Sequence, residues 1–198
     1  MVWVHHIAVN GLGNAYDQNL TFGPVMAYVW GVLAAIEPAF RTATDSSDPW
    51  IRSLMKAPAS LADLGIAGLM VYAFRSTPIW AVVTAAIVLL HPAVIDVSAW
   101  WGQYESIYLL TALAALVFAL NGRNGLAAGA LALAVMTKPQ ALPFLLPFAA
   151  WFWTHGGIRE VARTAAIGLA VIIVLWVPFA AAGGPANYLN NLDRKSVV

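Results

Sequence analysis

Two carboxylates, Asp96 and Glu105, flank a polar and aromatic run, Trp100-Trp101-Gly102-Gln103-Tyr104, set between two apolar stretches. Ionisable groups beside or inside apolar segments of this length are costly and often functional. A carboxylate within hydrogen-bond reach of a hydroxyl can act as its general base. Gln103 adds a neutral hydrogen-bonding group, and Gly102 allows a tight turn. Trp100, Trp101 and Tyr104 suit the face of a sugar, and they equally suit an aromatic belt at the headgroups. On spacing alone Asp96 and Glu105 also read as solvated charges at helix ends. A second run, Thr137-Lys138-Pro139-Gln140-Ala141-Leu142-Pro143, puts one lysine between two apolar segments. Its ammonium is a compact charge suited to a lipid phosphate, or it snorkels from a helix end.

A third run, Tyr16-Asp17-Gln18-Asn19-Leu20-Thr21-Phe22-Gly23-Pro24 with Tyr28, holds an acid that also fits a turn. His5-His6 is a weak metal candidate without matching ligands elsewhere, so no metal site is assigned. Asp63 falls inside an apolar stretch, where it faces the interior or pairs with a base such as Lys56. Asn19-Leu20-Thr21 matches a glycosylation acceptor, a pattern short enough to arise by chance. The absence of cysteine removes disulfide and thiol chemistry. A net charge of +1 without a basic cluster gives no case for nucleic acid.

The elements that must carry these residues are apolar. The chain is 61% hydrophobic and 10% charged, with a mean hydropathy of +0.76, where a soluble domain carries about 25% charged residues. Lipid is the solvent that suits this composition, and a soluble globular domain is excluded. Residues 1–23 read as a polar, turn-rich loop. Residues 24–40 are apolar but interrupted by Glu37-Pro38, and are short for a span. Crossing segments are expected over 51–74, 79–95, 107–120 and 161–182. Residues 125–137 and 141–153 form two shorter apolar pieces broken at Lys138-Pro139, and His155-Gly156-Gly157 breaks the chain again.

Excess Lys and Arg mark cytoplasmic loops. If residues 24–40 lie in the interface, the turns with Arg75, Arg123, Arg159 and Arg163 share one side. The other side receives Asp17, Asp45, Asp48, the Asp96–Glu105 turn and Lys138. The expected organisation is an external segment 1–54 with an interfacial helix at 24–40, a transmembrane bundle over 55–182, and an external tail over 183–198.

Taken in order, the three runs resemble the GT-C superfamily of polyprenol-phosphate-sugar-dependent glycosyltransferases, closest to bacterial mannosyltransferase-like proteins and the dolichol-phosphate-glucose-dependent enzymes. Tyr16 with Thr21-Phe22-Gly23-Pro24 and Tyr28 is similar to the family's first-loop tyrosine and Gly-Pro stretch. Pro92, Asp96 and Trp101-Gly102-Gln103-Tyr104-Glu105 is similar to its Pro…Trp-Gly-Gln stretch, with Glu105 where Asp is commoner. Lys138-Pro139-Gln140-Ala141-Leu142 with Pro147 is similar to its Lys-x-Gln-Ala-Leu…Pro stretch.

The resemblance implies an all-α, polytopic transmembrane helix bundle of about six spans plus an external juxtamembrane helix. It implies a hexosyltransferase that moves mannose or glucose from a polyprenyl phosphate to a hydroxyl on the outer or lumenal face. Partners would be the lipid-linked sugar donor, a glycan, lipid or protein acceptor, and membrane lipids. The donor is a co-substrate and no cofactor is implied. Glu105 and Asp96 would support catalysis, Lys138 and Gln140 would hold the donor phosphate, and Tyr16, Tyr28, Trp101 and Gln103 would contact substrate. The expected location is a bacterial or archaeal plasma membrane. The family's main catalytic Asp follows its first helix, and no acid precedes Asp17 here, so an inactive fragment of such an enzyme is expected. The rival reading is a transporter or channel subunit with Asp63, Asp96, Glu105 and Lys138 along a polar path.

Overall fold

A computed structural model describes residues 1–43, 45 and 47–195. Thr44 and Ser46 of the polar loop and residues 196–198 of the expected tail lie outside the described residues. Among the described residues the chain is all-helical, without a strand. It divides into two compact units, one made of Met1–Met55 with the segment from Ile172 onward, the other of Lys56–Val171.

The first unit opens with helix α1 (Val2–Asn10), where a loop is expected. The turn-forming residues begin only at Asn10-Gly11. Upstream of them, Val4 and Ile7 are three apart and both buried, which is the spacing of one helix face. Helix α2 (Pro24–Ile36) starts on Pro24, whose missing N–H costs nothing in a first turn. It stops before Pro38, because the residue preceding a proline disfavours helical backbone. A 3₁₀ turn, Pro38–Arg41, comes next. The core gathers large side chains that are fully buried, including Tyr16, Trp30, Phe40 and Phe179. Trp3 stacks on Trp30 at 5.1 Å, and Phe22 meets Trp30 edge-on at 5.4 Å.

Glu37 ties the α2 terminus to Trp50, beyond the polar loop. Its Oε1 accepts from Ala39 N at 3.0 Å, and its Oε2 accepts from the Trp50 indole at 2.8 Å. The bonds from Ala39 and Trp50 hold its carboxyl below the usual carboxylate range. A lowered folded value means these contacts are intact above the ordinary carboxylate pKa of about 4.3 and are lost as pH falls through the lower value. The Trp50 indole N–H resonance is therefore expected to hold its position through pH 5 and to move only in more acidic buffer. A shift centred at or above the ordinary value would show that the contacts are not made.

Helix α3 (Pro49–Ala73) begins where Asp48 accepts from Trp50 N at 2.7 Å, an N-cap with Pro49 behind it. Helix α4 (Pro78–Leu90) also starts on a proline. A short turn of helix, α5 (Pro92–Val94), leads into a π-helical turn, Ile95–Trp100. Helices α6 (Glu105–Leu120) and α7 (Asn124–Val135) form an antiparallel hairpin. Its seam is built from alanines: Ala112 clusters with Ala134 and Val135, Ala115 with Ala130 and Leu131, and Ala119 with Ala127 and Ala128. Small residues let helix backbones approach closely, the usual means of packing where lipid removes the hydrophobic drive. A 3₁₀ stretch, Pro139–Phe144, joins α7 to helix α8 (Leu145–Ala180), and α9 (Gly184–Lys195) comes last.

Pro49–Ala73 and Pro139–Ala180 are long and apolar enough to cross a membrane. The pair Pro78–Leu90 and Pro92–Trp100, bent by 47°, makes a third if it is one span. Gly157 interrupts α8 with φ 64° and ψ −160°, at the break expected from His155-Gly156-Gly157. The run from Ile158 to Ala180 is then ~35 Å long at about 1.5 Å per residue, enough for a core of about 30 Å. By the same measure α6 reaches ~24 Å and α7 ~18 Å. Large apolar side chains are exposed on α4 and α8, Leu90 at 72% and Leu146 at 78%. Outward apolar surface of this kind is what lipid covers.

Candidate functional site

The π-helical turn re-aims the chain after α4. His91 caps α5, its Nδ1 accepting from Ala93 N at 3.2 Å. Trp101 N then donates to Asp96 O at 2.8 Å, five residues back, and Gln103 N donates to Val97 O at 2.9 Å. Such bulges of one extra residue often accompany functional positions. Gly102 closes the turn with φ +71°. A side chain there would be strained, and its Cβ would lie 2.9 Å from Lys56 Cγ. The Lys56 stem therefore lies across the bare α-carbon of Gly102. Gly102→Ala is expected to cost about 1–2 kcal/mol, mostly backbone strain, read as a lower melting temperature in detergent. An unchanged melting temperature would remove the reason for glycine here.

Glu105 opens α6, where the N-terminal end of the helix favours negative charge. Lys138 lies just past the end of α7 in extended backbone, φ −152° and ψ 134°. The antiparallel hairpin brings these two ends to the same place. The Lys138 ammonium and the Glu105 carboxylate, 33 positions apart in the chain, form a direct ion pair between partly buried side chains. With its carboxamide nitrogen turned toward them, Gln103 donates to Glu105 Oε1 and Oε2, each at 3.3 Å. Two expected site residues, Gln103 and Lys138, thus converge on the carboxylate of a third, Glu105.

Within the same unit, Asp96, Trp101 and Gln140 make no hydrogen bond to this carboxylate. Asp96 and Gln140 are exposed, and Trp101 is 70% exposed. Tyr16 and Tyr28 belong to the first unit. The Tyr16 ring is buried among Trp176, Phe179 and Tyr188, and its hydroxyl donates to Phe22 O at 3.1 Å. Burial, and then the neighbouring Tyr188 and Tyr28, push its phenol far above the ordinary value, so it stays a donor. Tyr28 donates to Leu175 O at 3.1 Å. His5 and His6 bond Phe40 O and Asn14 O, each at 2.9 Å. Among the described residues no three His, Asp or Glu side chains group as metal ligands.

Asp63 faces the interior, as one of its two expected alternatives has it. Its partner is the hydroxyl of Ser106, 43 residues away, and not Lys56. Ser106 in turn shares a 2.9 Å hydrogen bond with Ser98. Neither serine stands out as a functional group in the sequence, because nothing local marks a hydroxyl whose partner is on another helix. The adjacency of Ser106 to Glu105 is the one signal that is present.

Comparison with protein-family models, with curated proteins and with solved structures finds no match.

Proposed function

We propose that this chain belongs to a GT-C-type membrane hexosyltransferase that moves mannose or glucose from a polyprenyl phosphate to an acceptor hydroxyl. The observation that carries the reading is the meeting of Gln103, Glu105 and Lys138, which come from two of the three motif runs. In the proposed reaction the acceptor oxygen bonds to the anomeric carbon as the bond from that carbon to the phosphate oxygen breaks. Polyprenyl phosphate leaves, and the hydroxyl proton passes to a carboxylate. Lys138 carries three N–H donors, so it can hold Glu105 and still meet a leaving phosphate. Glu105 and Gln103 orient the sugar or the acceptor, and Asp96, Trp101 and Gln140 stand exposed where substrate can reach them. The proposed setting is a bundle of about six spans in a bacterial or archaeal plasma membrane, with both motif turns on the outer face.

The test is transfer by the complete parent enzyme in proteoliposomes supplied with radiolabelled polyprenyl-phosphate mannose, and, separately, retention of that labelled donor by the protein in nanodiscs. The expected result is labelled acceptor product and saturable donor retention, both weakened by Lys138→Ala. No consumption and no retention of any polyprenyl-phosphate sugar would overturn the reading. The buried Asp63 favours a second reading, a polar path for a transported solute. Solute flux into empty liposomes, with no lipid-linked sugar present, would favour it.

A further inference from the structure

Asp63 lies within a helix long and apolar enough to cross a membrane, and it is only 7% exposed. A buried carboxylate is tolerated where its oxygens are bonded. Here the bond comes from Ser106, which is 6% exposed, and the next from Ser98, at 1%. A serine hydroxyl has a single proton to give. The Ser106 proton goes to Asp63 Oδ1, so the Ser98 hydroxyl must donate to Ser106. The three side chains therefore form a directed chain, Ser98 to Ser106 to Asp63. It links three elements of one unit: α3, the π-helical turn, and the first turn of α6. Ser106 is the immediate neighbour of Glu105. Successive helix residues are about 100° apart around the axis, so fixing the rotation of Ser106 fixes the direction of Glu105.

We infer that Asp63 is a positioning residue, which acts through Ser106 and Ser98 to hold Glu105 against Lys138. The inference rests on the reading of the Glu105–Lys138 pair as the working site, but its first readout does not need turnover. Lys138 is masked from acylation while it is bonded to Glu105. The experiment tracks the rate of acylation at Lys138 by mass spectrometry, in the full chain in nanodiscs, with a small amine-reactive ester. Glu105→Ala, which removes both accepting oxygens, sets the reference rate for loss of this pair. Asp63→Ala is expected to release Lys138 to nearly that level, and Ser98→Ala to an intermediate one. Asp63→Asn keeps an oxygen that accepts from Ser106 and is expected to leave Lys138 masked. In the transfer assay Asp63→Ala should lower kcat by about 10- to 100-fold, the scale of a misplacement near 1 Å, with little change in donor KM.

If Glu105→Ala releases Lys138 but Asp63→Ala does not, the positioning role is wrong. If Asp63→Asn releases Lys138 as fully as Asp63→Ala, charge and not the hydroxyl chain is at work, and the inference fails as well. Should Asp63→Ala not insert, Ser98→Ala decides by the same readout, since it cuts the chain without touching the carboxylate. Masking that responds as expected, in a protein that retains no lipid-linked sugar, would leave the positioning role standing and overturn the glycosyltransferase reading alone.

Discussion

Lys138→Ala lowers sugar transfer by about 100- to 1,000-fold, the scale seen when one donor to a developing oxyanion is removed. Two effects combine in that expectation. The leaving phosphate loses its cation, and Glu105 is left negative without its partner, facing an incoming anion. The second effect raises donor KM. Glu105→Gln is expected to act in the opposite sense on binding. It removes the negative charge that faces the incoming phosphate, so donor KM holds or falls, while kcat drops because sugar or acceptor is no longer oriented. Initial-rate kinetics on both variants separate the two parameters. The double variant should lose less than the product of the single losses, since the residues share one contact. If both single variants melt lower but turn over with unchanged kcat and KM, the pair is a structural clamp and the assignment of Lys138 to the phosphate falls.

Tyr16→Ala carries the largest expected loss of stability, about 3–5 kcal/mol by comparison with other buried aromatic truncations. The ring is 2% exposed and meets Trp176 at 5.0 Å, Phe179 at 5.4 Å and Tyr188 at 5.8 Å. Removing it opens a cavity in the middle of this aromatic cluster. Tyr16→Phe keeps the ring and removes only the hydroxyl, leaving Phe22 O without that donor, for a cost of about 1 kcal/mol. Thermal melting in detergent ranks the three proteins. The same pair tests a substrate role: a tyrosine whose hydroxyl bonds substrate loses activity in Tyr16→Phe while keeping its melting temperature. The arrangement of Tyr16 leads us to expect the reverse, near-normal activity with a slightly lower melting temperature. A phenylalanine variant that is fully stable and inactive would support the substrate role instead.

Much of the architecture was legible from residue type alone. The helical character came from long apolar stretches, because in lipid every backbone N–H and C=O must find a partner within the protein. The breaks were legible as well. Pro24 and Pro78 each sit at a helix start, and Gly157 turns the chain at the glycine pair that punctuates it, whereas the helix start at Pro92 falls inside the stretch 79–95 expected to cross as one. Those are local effects of φ restriction and of a missing Cβ, and they act wherever the residue stands. Helix α1 stands where a loop is expected, because a nine-residue segment with mixed polarity takes its helical state from the core it covers.

Residue types settle which groups are present to do chemistry, and that two of the motif runs end apolar helices. Which of those groups meet is a matter of tertiary packing. The Ala-lined hairpin of α6 and α7 carries Glu105 to Lys138. Neither residue announces the other from 33 positions away, because helix pairing is set by packing of small side chains far from the charged ends. Likewise Asp63 was visible as a carboxylate in an apolar segment, but its choice of Ser106 over Lys56 depends on how α3 lies against the turn before α6. Tyr16 and Tyr28, which read as substrate contacts, give their hydroxyls to backbone carbonyls. A sequence states a side chain's hydrogen-bonding capacity, and the fold alone settles where that capacity is spent.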